Sequence, residues 1–225
     1  HVHAGRLGRA GPVPDSMIHD AMPDRPTTTA GRPAVFLDRD GTMNVDVGYL
    51  SELSHLTLYP WAIDAVRLFN RAGYAVVVIT NQGGIGRQMI RPEFVGELHA
   101  VIAERLTRAG AHVDGWYHCP HHPAALVDDL RIDCRCRKPE PGMLLDAIRD
   151  LGLDPTRSWM IGNKWHDVQV GQRVLGFGLR GDLRCLLATL DQIAVRAEPE
   201  RVAAEMAGHS FARHDLRIFG CHHCD

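Results

Sequence analysis

Two aspartates, Asp38 and Asp40, stand one residue apart between the apolar tetrad Ala34-Val35-Phe36-Leu37 and the pair Gly41-Thr42. The tetrad reads as a short buried strand, and a glycine after it permits a sharp exit. At a strand end where the chain turns, both carboxylates can project into one crevice. A carboxylate there can attack phosphorus and form an aspartyl-phosphate, splitting one hard hydrolysis into two easier steps. Its neighbour can protonate the leaving oxygen and later activate water. A bare pair of this kind also describes a solvated acidic turn, so the rest of the chain has to decide.

A second constellation is built from soft ligands. Cys119-Pro120-His121-His122 and Cys134-Arg135-Cys136 are separated by twelve residues between His121 and Cys134. Two short chelating pairs joined by a loop match a closed tetrahedral zinc site. The spacing points to Cys119, His121, Cys134 and Cys136, with His122 as the competing nitrogen. Four protein ligands leave no open position, so such a zinc would be structural, fixing where the next residues, Arg137 and Lys138, project. Cys221-His222-His223-Cys224 is a weaker candidate for a second metal site, and Cys185 reads as an ordinary buried thiol.

These residues need a scaffold. Ile63, Val66 and Phe69 recur at three-residue spacing and predict a helix over 60–72, closed by Gly73. Residues 74–79 read as a second buried strand running into Thr80-Asn81-Gln82-Gly83, a junction of hydroxyl, amide and glycine suited to phosphate oxygens. A helix over 92–109, a strand over 113–118, a helix over 143–150 and a strand over 158–161 follow. This alternation implies an α/β fold with a parallel sheet and helices on both faces. Ligands of such sheets bind at the carboxyl ends of the strands, where Asp38, Thr80 and Asn163 would meet.

At 225 residues, the chain suits one substantial domain with tails. A formal charge of −2 leaves no dominant basic face, which argues against a general nucleic-acid binder. The longest apolar run, residues 75–79, is far too short to span a bilayer. Residues 1–32, rich in Gly, Pro, Arg, Asp and Thr, read as a disordered leader or an expression remnant, with Met17 or Met22 as candidate natural starts. Without an export signal, six cysteines fit a reducing, cytoplasmic compartment and metal binding better than disulfides. No exposed heptad or apolar stripe asks for a partner subunit, so a monomer is expected.

Taken together and in this order, FLDRDGT, VVVITNQ, CPHHP, CRCRKPEPGM and MIGNKWHD resemble the haloacid dehalogenase-like (HAD) phosphatases, specifically the heptose bisphosphate phosphatase branch related to histidinol-phosphate phosphatases. The resemblance spans residues 33–171. It implies a Rossmann-like core, residues 33–180, with a zinc loop at 119–136 in place of a large cap. It makes Asp38 the nucleophile and Asp40 the general acid/base, with Thr80 and Lys138 holding the phosphoryl group. Mg²⁺ would sit on Asp38, Asp40 and Asn163. Substrate contacts would come from Asp46, Val47, Gly48, Tyr49, Thr80, Asn81, Gln82, Gly83, Arg137, Lys138 and Lys164.

Two departures stand out. The family pattern has aspartate where this chain has Asn163, which weakens the expected hold on Mg²⁺ and leaves Asp167 for a secondary role near the metal. Residues 181–225 have no family counterpart, residues 183–197 look helical, and the last sheet strand is in doubt. The implied activity is removal of the C7 phosphate of a heptose 1,7-bisphosphate, a step toward nucleotide-activated heptose for lipopolysaccharide, capsule or S-layer sugars. The alternatives are a histidinol-phosphate phosphatase, or a non-catalytic phospho-sugar binder whose metal site is impaired by Asn163.

Overall fold

Residues 34–37 and 75–80 are buried without exception, so these strands have no solvent face. That is the signature of a parallel sheet covered on both sides. The computed structural model describes residues 31–176 and the backbone of residues 178–180. Five strands form one sheet: β1 (Ala34–Leu37), β2 (Ala75–Asn81), β3 (Gly115–Cys119), β4 (Trp159–Gly162) and β5 (Gly178–Arg180). Their order is β3-β2-β1-β4-β5, and every neighbouring pair is parallel. The helices are α1 (Ala62–Arg71), α2 (Pro92–Arg108), α3 (Gly142–Leu151) and α4 (Trp165–Leu175).

Side-chain alternation splits the core in two. Val35, Leu37, Val76, Val78 and Ile161 pack with Val66 and Phe69 of α1 and Leu98, Ile102 and Leu106 of α2. Ala34, Phe36, Val77, Ile79 and Met160 face the other way, onto Leu144 and Ala147 of α3 and Val170 and Leu175 of α4. Each large apolar side chain so buried contributes roughly 1.5–3 kcal/mol. The register sets Leu37 level with Val78 and with Ile161. Residues just beyond these three positions therefore emerge at one edge of the sheet.

The sequence reading and the structure differ at element ends. β2 continues through Thr80 and Asn81, and β3 begins at Gly115 and takes in Cys119. The sequence reading assigns no helix at α4, and the last strand, which it left in doubt, is present as β5. Lys164 starts α4 because the Asp167 carboxylate accepts its backbone N–H at 3.0 Å, and β5 pairs Gly178 with Met160. Arg32, assigned to a leader, belongs to the fold: it pairs with Asp114 at 2.8 Å and donates to the carbonyls of Gly73 and Tyr74. The loop 119–136 carries one 3₁₀ turn, Asp128–Leu130, and is pinned to the loop after β2 by Leu126 N–H donating to the Gly86 carbonyl at 2.7 Å. Among the described residues there is no cap domain. The expected features at Cys185, residues 183–197 and Cys221–Cys224 lie outside the described residues.

Candidate active site

Asp38 is the first residue past β1, and its N–H donates to the Ile161 carbonyl at 2.9 Å, so the sheet ladder itself fixes the start of the turn that follows. The carboxylate is almost fully buried. Directly against it lies Lys138, whose Nζ is 2.6 Å from Asp38 Oδ1, 2.7 Å from Asp167 Oδ1 and 2.9 Å from the Ile79 carbonyl. An ammonium has three protons: the Asp38 carboxylate and the Ile79 carbonyl accept two, and Asp167 adds a close ion pair whose Oδ1 takes no hydrogen bond among the described residues, which leaves the third proton for another acceptor. Burial opposes the Lys138 charge, but Asp38 and Asp167 outweigh it and raise its pKa above the ordinary lysine value. Burial also pushes Asp38 up to about 6; Lys138 pulls against that shift and the Asp167 charge adds to it.

Lys138 is held from its backbone as well. The Asn81 side chain accepts from the Lys138 N–H at 2.9 Å and donates to the Lys138 carbonyl at 3.0 Å. Asn81, read from sequence as a substrate contact, spends its amide on placing the lysine.

Asp40 is ringed by donors. Asn44 Nδ2 and Arg39 Nε reach Oδ1 at 3.0 and 3.1 Å, while Arg39 Nη2 and Gln82 Nε2 reach Oδ2 at 2.7 and 2.8 Å. Burial would raise its pKa, but Arg39, Asn44 and Gln82 outweigh burial and hold the carboxyl below the usual carboxylate range. Gln82 Nε2 also donates to Thr80 Oγ1 at 2.8 Å, which leaves the Thr80 hydroxyl proton for another acceptor.

Asn163 lies over Gly41. A β-carbon at Gly41 would fall 2.0 Å from Asn163 Nδ2, and φ there is +87°, so only glycine allows this approach. Asn163 Oδ1 is buried with no hydrogen-bond partner among the described residues. A buried oxygen without a partner is costly unless something binds it. Asp167, expected to have a secondary role near the metal, is the second carboxylate on Lys138 and the brace of the α4 start.

A cleft of about 290 Å³ opens above these groups. Asp38, Asp40, Asp46, Gly48, Tyr49, Thr80, Asn81, Gln82, Gly83, Arg137 and Lys164 line it, as do Gly84, His122 and His166, which sequence reading did not assign to it. Lys138, which is buried, Asn163 and the half-exposed Val47 do not line it. Lys164 Nζ spans to Asp46 Oδ2 at 3.0 Å, and Arg87 Nη1 donates to the Tyr49 hydroxyl at 2.6 Å while stacking over the ring. A β-carbon at Gly83 would meet His122 at 2.8 Å and Arg137 at 3.1 Å, so glycine there lets both side chains close over the cleft.

The soft-ligand cluster forms beside it. The ligand atoms of Cys119, His121, Cys134 and Cys136 all lie within 4.8 Å of one another. Cys136 Sγ is 3.2 Å from both His121 Nδ1 and Cys119 Sγ and 3.4 Å from Cys134 Sγ. Such spacings approach the ~3.5–3.8 Å edges of a tetrahedral thiolate–imidazole site. His122 is not in the cluster; its Nδ1 accepts from the Ala124 N–H at 2.9 Å.

A HAD-hydrolase-like family model matches residues 135–180. The D-glycero-beta-D-manno-heptose-1,7-bisphosphate 7-phosphatase of Photorhabdus laumondii is 44% identical over 153 residues, covering 65% of this chain and 81% of that protein. The protein of the same name from Escherichia coli K12 is 43% identical over 149 residues, covering 64% and 78%. D,D-heptose 1,7-bisphosphate phosphatase from B. bronchiseptica, crystallised with magnesium and phosphate, superposes with a TM-score of 0.59 at 27% identity, covering 72% of this chain and 99% of that one.

Proposed function

The chain belongs to the D-glycero-beta-D-manno-heptose-1,7-bisphosphate 7-phosphatase family of HAD-like hydrolases, and from that premise we propose that it removes the C7 phosphate of D-glycero-D-manno-heptose 1,7-bisphosphate. The observation that carries this reading is the buried Lys138 ammonium, 2.6 Å from Asp38, with Asp40 beside it at the floor of the cleft. A lysine in that position keeps a buried carboxylate ionised and aimed, which a nucleophile requires.

Asp38 attacks phosphorus as the bond from phosphorus to the C7 oxygen breaks, and that oxygen takes a proton from the minor protonated form of Asp40, whose lowered pKa favours giving it up. Water then gives a proton to Asp40 while its oxygen attacks the aspartyl-phosphate, releasing inorganic phosphate and restoring Asp38. Lys138 and the unspent Thr80 proton hold the phosphoryl oxygens through both steps. Asp46, Gly48, Tyr49, Gly83, Arg137 and Lys164 meet the sugar and its second phosphate, with Arg137 as the forked anion donor. Asn81 and Gln82 act by placing Lys138 and Asp40.

The Asp38 carboxylate, the Asp40 carbonyl and the partnerless Asn163 Oδ1 offer hard oxygens that suit Mg²⁺. When bound, the ion adds positive charge against the transferring phosphoryl oxygens. The four soft ligands suit a structural Zn²⁺. Cys136 is followed directly by Arg137 and Lys138, so that zinc would anchor the two cations. Residues 32–180 form the working domain in this reading. Among the described residues no helix is long and apolar enough to cross a membrane, and free thiols in the cluster fit a reducing, cytoplasmic setting for a monomer.

The test is phosphate release from the α and β anomers of the heptose bisphosphate and from histidinol phosphate across a Mg²⁺ titration. Mg²⁺-dependent turnover of a heptose bisphosphate, well above that of histidinol phosphate, is expected. Binding without turnover would turn the protein into a phospho-sugar binder.

A further inference from the structure

Arg39 separates the two catalytic aspartates in sequence, yet among the described residues it is the largest fully buried side chain, and it does not line the cleft. Its Nε and Nη2 fork onto both oxygens of Asp40, and its remaining nitrogen, Nη1, lies 3.2 Å from His99 Nε2. Guanidinium only donates, so His99 Nε2 must accept and the imidazole proton sits on Nδ1. His99, on α2, is 7% exposed, and its ring stacks on Trp116 of β3 at 4.5 Å, with His118 edge-on at 6.2 Å. Burial and the Arg39 charge hold its pKa down near 3, so the lone pair stays available at any working pH. A helix 60 residues away in sequence thus supplies the acceptor for Nη1.

We propose that His99 is a positioning residue for the phosphatase reaction, setting the plane of Arg39 so that its fork fixes the Asp40 carboxyl against the leaving oxygen. The inference rests on the phosphatase reading given above. Without the Nε2 acceptor, Nη1 loses its partner on α2, the guanidinium is held only through Asp40, and its plane and the Asp40 carboxyl can turn together. A misplaced acid costs most where the leaving group most needs a proton.

The experiment compares His99→Leu and His99→Gln on two substrates, the heptose bisphosphate and p-nitrophenyl phosphate, whose leaving group departs without a proton. The readout is kcat/KM, which ends at departure of the leaving group. His99→Leu is expected to lose about tenfold on the sugar and about twofold or less on the aryl ester, and His99→Gln, which keeps an acceptor, to recover most of the sugar rate. Equal losses on both substrates, no loss on the sugar, or no recovery in His99→Gln would overturn the proposal. A second measurement needs only the wild type: ¹⁵N NMR should find His99 Nε2 unprotonated and Nδ1 protonated, and the opposite tautomer also overturns it. Wild-type turnover of the two substrates separates failure of this inference from failure of the phosphatase reading.

Discussion

Replacing Asn163 by aspartate should tighten Mg²⁺ binding by about tenfold to a hundredfold. Asn163 Oδ1 is buried and partnerless among the described residues, so the position can take a ligand without breaking an existing bond. Charges of +2 and −1 roughly 4 Å apart at an effective dielectric near 20 attract by about 8 kcal/mol. Stripping water from a new buried carboxylate takes back most of that, leaving about 1.5–3 kcal/mol. The same carboxylate harms the metal-free protein, because Asp38 and Asp167 are already buried at these strand ends and Asp40 is half-buried. Isothermal titration with Mg²⁺ should therefore give a lower Kd for Asn163→Asp, and its Tm should fall below wild type in chelator and rise more steeply with added Mg²⁺. An unchanged or weaker affinity would refute the reasoning and place the ion away from Asn163.

Lys138→Met leaves Asp38 and Asp167 buried without their shared cation, and should cost about 3–5 kcal/mol at pH 7. Urea unfolding checks it, and a loss under 1 kcal/mol would contradict the charge assignment. His99 has a folded pKa near 3 against an unfolded value near 6.5, so the unfolded chain binds the extra proton between them. Its contribution to stability is full above pH 6.5 and is lost as pH falls, by about 2–3 kcal/mol near pH 4.5, against a background from Arg39, His118 and Asp40. Wild type should therefore lose its stability advantage over His99→Gln on going from pH 7 to 4.5 in urea titrations; parallel curves would count against a neutral buried imidazole. Stripping the cysteine cluster with a strong chelator should release one zinc per chain and lower Tm by several degrees. Elemental analysis and calorimetry read both, and Cys136→Ser should show the same loss.

The centre of the sheet was legible because β1, β2 and β4 are short, mostly apolar runs buried on both faces. Ala34–Leu37 and the run from Ala75 cannot be read as anything with a wet side. The helix α4 was not, because Trp165-His166-Asp167 gives no apolar period at its start; what begins it is a carboxylate reaching back to Lys164. The strand β5 is three residues long and depends on β4 for its pairing, so local pattern says little about it.

Residue type and spacing by themselves determined the chemistry: carboxylates at Asp38 and Asp40, cations at Arg137 and Lys138, and the four soft ligands around the loop at 119–136. Those are properties of side chains and of short loops, and short loops travel with the sequence. What only the tertiary structure decided is who faces whom. His121 enters the cluster while its neighbour His122 turns to the cleft. Asp167 pairs with Lys138, Asn81 clamps that lysine's peptide, and Arg39 turns away from the cleft toward His99. Each of these links joins positions on separate strands or helices, and only the packing of those elements brings the atoms within hydrogen-bonding distance.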